Sequence, residues 1–316
     1  MTVLGAVGEG LGELRLAGGL GPASLDAGGD AANVCVSAVR FGLRSRLLGR
    51  VGSDGVGTAL LDFWSAEGID VSHVRRDPKA TTGIYLNEQL PDGAHRFAYW
   101  RDGSAGSRLK PADLRPSFFD DLGVLLVTGV TLAISPSCAQ TAHAAIAQAR
   151  RRSIPVACVV NHRPQLGGDR QLLTETIAAS RFVFASIDDL VGVFGDVDRA
   201  RAELVSSGAP GRELAITAGQ ASATLIHADG VIAQAPPPVE VCDAAGAGDA
   251  FAGAYLASRL EGRTPAASLS RAVAAAGLSV GTPGCAPSYP TAEVADRLVP
   301  TLPAQARPDG VAGRTA

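Results

Sequence analysis

Along the chain, short runs of Val, Leu, Ile and Ala alternate with longer stretches in which apolar residues recur every three to four positions. The short runs predict strands at 2–7, 45–51, 124–128, 156–160, 182–185 and 214–217, with a further β-prone run at 230–241. The longer stretches predict helices from the Asp26–Asn33 segment to about Phe41, from the Gly52–Gly57 turn to Glu67, and at about 136–151, 169–179, 187–194, 198–207 and 247–261. Strand, loop and helix repeated at this spacing imply an α/β fold, a mostly parallel sheet covered by helices on both faces. Three pieces do not fit that rhythm. The short run 12–16 follows the interruption Gly8-Glu9-Gly10 and precedes a glycine-rich turn at 18–21, while 82–90 and 94–101 flank Asp92-Gly93 as a hairpin. These are expected to form a small sheet standing off one edge, a lid built from about 9–16 and 82–101.

Composition sharpens this picture by exclusion. At 316 residues with 46% hydrophobic and 19% charged side chains, the chain has enough apolar surface for one large domain, expected over 1–301. From Leu302 the tail carries Pro, Gly, Ala and Arg without periodicity, so 302–316 is expected to be disordered. A formal charge of −3 argues against nucleic acid or an acidic membrane surface as a partner. The five cysteines are widely spaced with no CxxC pair, as befits buried thiols in a reducing cytoplasm rather than a zinc or disulfide framework. The 122–149 stretch has no Asp, Glu, Lys or Arg, but Gly129 and Pro136 divide it into a strand and an amphipathic helix rather than a membrane span.

The segment from Val241 to Phe251, VCDAAGAGDAF, carries the chemistry. It closes a β-prone run and opens a helix, and its small residues let backbone N–H groups turn toward one point. A helix N-terminus there offers unpaired amides and a positive dipole end to a phosphate. Asp249 at the mouth of such an anion site can take the proton of an attacking hydroxyl. By itself the loop also reads as a glycine turn with a capping aspartate, which is a common arrangement.

Two segments in order raise the reading. GAGD at 246–249, preceded by Asp243, resembles the C-terminal signature of the ribokinase-like (PfkB) family of carbohydrate kinases, D-x-x-G-A-G-D. GGDAAN at 28–33, with the run Gly49 to Gly57, resembles its N-terminal signature. The resemblance covers about residues 3–299 and implies a ribokinase-like three-layer α/β/α fold with a small β-sheet lid. Within the family the chain is most similar to 2-keto-3-deoxygluconate kinases, on Ile84-Tyr85-Leu86, the Tyr99–Ser107 segment, Thr128-Gly129-Val130-Thr131 and Asn161-His162-Arg163-Pro164.

The resemblance implies ATP-dependent phosphorylation of a sugar acid. Asp249 would be the base, and the amides of Gly246, Ala247 and Gly248 would form the anion hole. The sugar acid would lie against Gly28, Gly29, Asn33, Tyr85, Tyr99, Arg101, Asn161 and Arg163, with the two arginines pairing its carboxylate. The nucleotide would lie against Ser186, Thr217, Gly219, Gly246 and Gly248. Mg²⁺ would be held through water by Asp189, and K⁺ by Asp243. A homo-oligomer joined through the lids is expected, because an exposed lid leaves an unpaired edge and an apolar face.

The nucleotide side departs from the family pattern. Val159 stands for an aspartate, Ser186-Ile187-Asp188-Asp189 for Asn-x-x-Glu, Ser222 for a glycine, Ala274 for an asparagine and His162 for a tyrosine. A kinase of another sugar or a nucleoside, or a weakened sugar-binding homologue, therefore stands as the alternative. A dinucleotide-dependent dehydrogenase does not, because the first strand–helix turn lacks G-x-G-x-x-G.

Overall fold

Two sheets organise the residues described by the computed structural model, 2–16, 23–89, 95–206 and 209–306. In chain order the strands are β1 (Val3–Val7), β2 (Leu11–Leu16), β3 (Ala23–Gly28), β4 (Arg44–Gly52), β5 (Asp70–Asp77), β6 (Gly83–Gln89), β7 (His95–Trp100), β8 (Leu122–Thr128), β9 (Val156–Val159), β10 (Phe182–Ser186), β11 (Glu213–Ala218), β12 (Ala221–His227) and β13 (Gly230–Gln234). The α-helices are α1 (Asp30–Arg40), α2 (Gly55–Ala66), α3 (Gly129–Ala133), α4 (Pro136–Arg151), α5 (Arg170–Ala179), α6 (Ile187–Phe194), α7 (Val197–Ser206), α8 (Ala247–Leu260), α9 (Pro265–Ser279) and α10 (Ala292–Leu298).

The large sheet has the order β13-β12-β11-β10-β9-β8-β1-β4-β5 and is parallel from β11 to β5. Successive residues of its strands feed two separate cores. Leu4, Leu126, Ala157 and Phe184 pack under α1, α8 and α9, while Val7, Val127, Cys158 and Val183 pack under α4, α5 and α6. Burial on both faces explains the unbroken apolar strands. The chain passes from β1 to β4 on one side and later adds β8 on the other, so the sheet order reverses beside β1. In open α/β sheets the crevice at such a reversal, beyond the carboxyl ends of the strands, is where ligands bind.

The four-stranded lid has the order β3-β2-β6-β7. The expected hairpin is present as antiparallel β6 and β7, and β2 pairs in parallel with β6. One lid strand differs from expectation. Residues 26–28 end β3, antiparallel to β2, and the helix begins only at Asp30. Pairing across the lid outweighed the helix-opening pattern of that segment. Strands β5 and β12 also had no expectation. The β-prone run at 230–241 stops at Gln234, because Pro236, Pro237 and Pro238 cannot donate to a ladder.

The tail is ordered farther than expected. Leu302 packs against the core, Ala306 bridges Ala233, and Gln234 donates to the Pro303 carbonyl at 2.8 Å. Residues 307–316 lie outside the described residues, as do the turns at 18–21 and 91–93. Among the described residues no helix is long and apolar enough to cross a membrane, and no disulfide forms, with Cys35, Cys138, Cys158 and Cys285 buried.

Candidate active site

A cleft of about 450 Å³ opens where the lid overhangs the carboxyl ends of β1, β9, β10 and β11. Two helices bring its central pair together. Any Cβ on Gly253 would lie 2.5 Å from Ser37 Cβ and 2.6 Å from the Val34 carbonyl, so α8 and α1 approach closely only because position 253 has no side chain. Ser37 Oγ fixes the crossing by donating to the Ala250 carbonyl at 2.8 Å. One turn toward the cleft on each helix stand Asn33 and Asp249, and Asn33 Nδ2 donates to Asp249 Oδ2 at 3.0 Å.

Asp249 is 8% exposed, and burial pushes its carboxyl up to about 7. The neighbouring Asp30 carboxylate raises it further, while the Asn33 hydrogen bond and the Arg163 charge oppose the rise. A carboxyl so placed accepts and releases a proton near neutral pH.

The turn ahead of α8 is shaped by Gly246, whose φ of 77° is left-handed. A Cβ there would sit 2.5 Å from Tyr289 Oη and 2.9 Å from Cys285 Cβ, and Tyr289 Oη donates to the Gly246 carbonyl at 3.0 Å. The amides of Gly246, Gly248 and Asp249 have no protein acceptor among the described residues. The Ala247 amide does not join them. It donates to the Ala244 carbonyl at 3.3 Å, because the turn closes on itself there, and Ala247 does not line the cleft.

The structure also sorts the expected substrate residues. Gly29, Asn33, Tyr85, Tyr99, Arg101, Asn161 and Arg163 all line the cleft. Gly28 does not: a Cβ there would lie 2.7 Å from the Tyr85 ring, so its smallness makes room for Tyr85. The two arginines are not equivalent. Arg101 forms a buried ion pair with Glu9 while its guanidinium lies 5.1 Å from the centre of the Tyr99 ring, and burial lowers its pKa to about 10. The exposed Arg163 donates to the His162 carbonyl at 3.0 Å and forms no ion pair among the described residues, although its charge acts on Asp249 and Asp30.

Glu9 and Asp30 also line the cleft, and the sequence reading named neither as a site residue. Asp30 Oδ2 accepts from Asn161 Nδ2 at 3.3 Å, and Oδ1 accepts from the Ala31 amide at 2.8 Å. Burial raises the Asp30 carboxyl, against hydrogen bonds from Thr128, Ala31 and Asn161. Glu9 had a usable signal, an acid between two glycines directly after an apolar strand, at the carboxyl edge of a parallel sheet. Removing its partner tests the pair. Arg101→Met strands a buried carboxylate and is expected to cost about 3–5 kcal/mol in urea unfolding. Glu9→Leu combined with Arg101→Met should recover most of that loss, and equal losses in both variants would show that the pair is not what matters.

On the other side of the cleft, Ser186 and Thr217 end adjacent strands and line it, whereas Gly219 is exposed at the β11–β12 turn and does not. Asp189 closes a capping box. Its carboxylate accepts from the His162 amide at 2.7 Å, the Ser186 amide at 2.9 Å and Ser186 Oγ at 2.8 Å. A carboxylate has about four lone-pair sites, so room for about one further donor such as a water remains. Val159 forms an apolar wall where the family pattern has an acid. Asp243, by contrast, is enclosed by donors. It accepts from the Ala245 amide at 2.8 Å and the Gly284 amide at 3.0 Å, and Arg15 Nη1 lies 3.9 Å away.

Comparison with known proteins adds three findings. The family model for pfkB family carbohydrate kinases matches residues 21–292. The chain is 34% identical over 280 residues to a 2-dehydro-3-deoxygluconokinase of Thermoproteus tenax, covering 87% of this chain and 85% of that one. Among solved structures it is similar to an uncharacterized sugar kinase from Pyrococcus horikoshii in complex with ATP. The TM-score is 0.80 at 25% identity, with 92% of this chain and 96% of that one covered.

Proposed function

The chain belongs to the pfkB family of carbohydrate kinases, and from that premise we propose that it transfers the γ-phosphoryl group of ATP to a hydroxyl of a sugar acid, 2-keto-3-deoxygluconate in the first instance. One observation carries this reading. The cleft combines a carboxyl poised near 7 beside unclaimed helix amides with a guanidinium, Arg163, that forms no ion pair among the described residues.

Each of these parts has a distinct task in the transfer. Asp249 orients the acceptor hydroxyl and takes its proton as the oxygen attacks the γ-phosphorus. The amides of Gly246 and Gly248 meet the charge that develops on the phosphoryl oxygens, which is worth most in a site from which water is excluded. Asn33 holds Asp249 in place, and Asp30 keeps its proton affinity high. Arg163 pairs with the carboxylate of the sugar acid, while Arg101, already neutralised by Glu9, orients it with Tyr85 and Tyr99. Ser186 and Thr217 flank the nucleotide.

Mg²⁺ fits the oxygen chemistry of the cleft. Asp189, with room for about one further donor, would hold it through water, and the ion supplies charge neutralisation on the β and γ oxygens. K⁺ at Asp243 is disfavoured by the two amides and the Arg15 guanidinium that stand against this carboxylate. On the outer lid, exposed Leu25 and Trp100 suit pairing with the lid of a second copy.

The test is an ADP-release assay with sugar acids, neutral sugars and nucleosides as acceptors at fixed ATP and Mg²⁺. Preference for acids is expected. Turnover on neutral sugars or nucleosides equal to that on acids would sink the sugar-acid assignment.

A further inference from the structure

Arg15 belongs to the lid strand β2, yet its guanidinium reaches the loop that precedes α8. Nη2 donates to Asp26 on the neighbouring strand β3. Nη1 is buried, lies 3.9 Å from Asp243 Oδ2, and has no hydrogen-bond acceptor among the described residues. The same guanidinium packs against Gly284, where any Cβ would collide with Nη1. Gly284 has a φ of 94°, so its positive φ and its missing side chain are both used.

Asp243 stands at the seam of the anion loop. Besides accepting from the Ala245 and Gly284 amides, it shares the Val280 carbonyl with Cys242 through their two N–H groups, at 3.1 and 2.7 Å. Tyr289 closes the other end of the seam by donating to the Gly246 carbonyl. The carboxylate of Asp243, only 4% exposed, therefore sets the turn that presents the Gly246 and Gly248 amides, and so buried a charge needs compensation. A free monovalent cation would need a shell of oxygens in place of its hydration. Two N–H donors and the Arg15 guanidinium stand against the Asp243 carboxylate, and each of these repels such an ion.

We propose that Arg15 is the resident cation of the anion loop: a tethered guanidinium that compensates Asp243, removes the need for a monovalent ion and couples the order of the loop to docking of the lid. Arg15 is a positioning residue, acting on the transferred phosphoryl group through Asp243 and the loop. The activity arm of its test rests on the kinase reading, and the binding arm does not.

The experiment compares wild type with Arg15→Met, and with Arg15→Gln in case the apolar replacement fails to fold, thermal melting serving as the check. Turnover is measured in potassium chloride and in tetramethylammonium chloride at equal ionic strength, and binding of radioactive Rb⁺ is measured by equilibrium dialysis without sugar or nucleotide. Wild type should turn over equally in both salts and bind no Rb⁺. The variants should lose at least about tenfold in tetramethylammonium, the scale of one lost charge-assisted contact, and regain most of it in potassium while taking up one Rb⁺. Stimulation of wild type by potassium, Rb⁺ binding to wild type, or variants indifferent to the salt would each overturn the proposal. Rb⁺ uptake by the variants alone would uphold it even if the acceptor is not a sugar acid.

Discussion

Asp249→Asn lowers kcat by about 10²–10⁴-fold, the contribution of a positioned general base, while binding of ATP with Mg²⁺ is retained. The amide keeps the shape of the side chain and its hydrogen-bonding edge toward Asn33 but cannot take a proton. The wild-type pH profile carries the same signature. Because the carboxyl is pushed up to about 7, the active ionised form is depleted below that pH, and kcat/KM should rise with pH through about 7 to a plateau. Asp30→Asn removes a negative neighbour that holds the value up, so the limb moves to lower pH. Asn33→Ala removes a hydrogen bond to the carboxylate, so the limb moves to higher pH. Unchanged turnover in Asp249→Asn, or a limb that ignores both neighbours, would remove Asp249 from the reaction.

Arg163→Met raises KM for an acidic acceptor by roughly 10–100-fold, the equivalent of one charge-assisted hydrogen-bonded contact, and leaves neutral acceptors nearly unaffected. The reason is the difference between the two arginines. The charge of Arg101 is already met by Glu9, so a ligand carboxylate gains less from it, whereas Arg163 forms no ion pair among the described residues. Steady-state kinetics on one acidic and one neutral acceptor make the comparison. If Arg163→Met lowers both equally, the side chain shapes the cleft without reading charge. Arg101→Met, in contrast, should show its main effect in stability.

The parallel core was legible because its strands are buried on both faces and so carry unbroken apolar runs that turn residues punctuate. The lid hairpin was legible from Asp92-Gly93 between two β-prone runs. Strand β3 was not, since Asp26 to Gly28 looks like the approach to a helix and becomes a strand only by pairing with β2. Strand β5, with the sequence DVSHVRRD, has too few apolar residues for periodicity to reveal it. It lies at the sheet edge, where β4 alone among the described residues pairs with it.

By itself, the sequence determined the α/β architecture, the glycine turn before α8 and the place of Asp249 within it, because these depend on local composition and on a helix N-terminus. It also determined that Arg101 and Arg163 would face one cleft, through motifs that bring a family with them. Only the tertiary structure decided which of the two arginines is free. Glu9 and Arg101 are far apart in the chain, and a buried ion pair depends on where the lid sets one strand against another. The same holds for the Ala247 amide, drawn into its own turn, and for Asp243, compensated by an arginine from the lid. The sequence names the charges, but which charges cancel is set by distances that only the folded chain fixes.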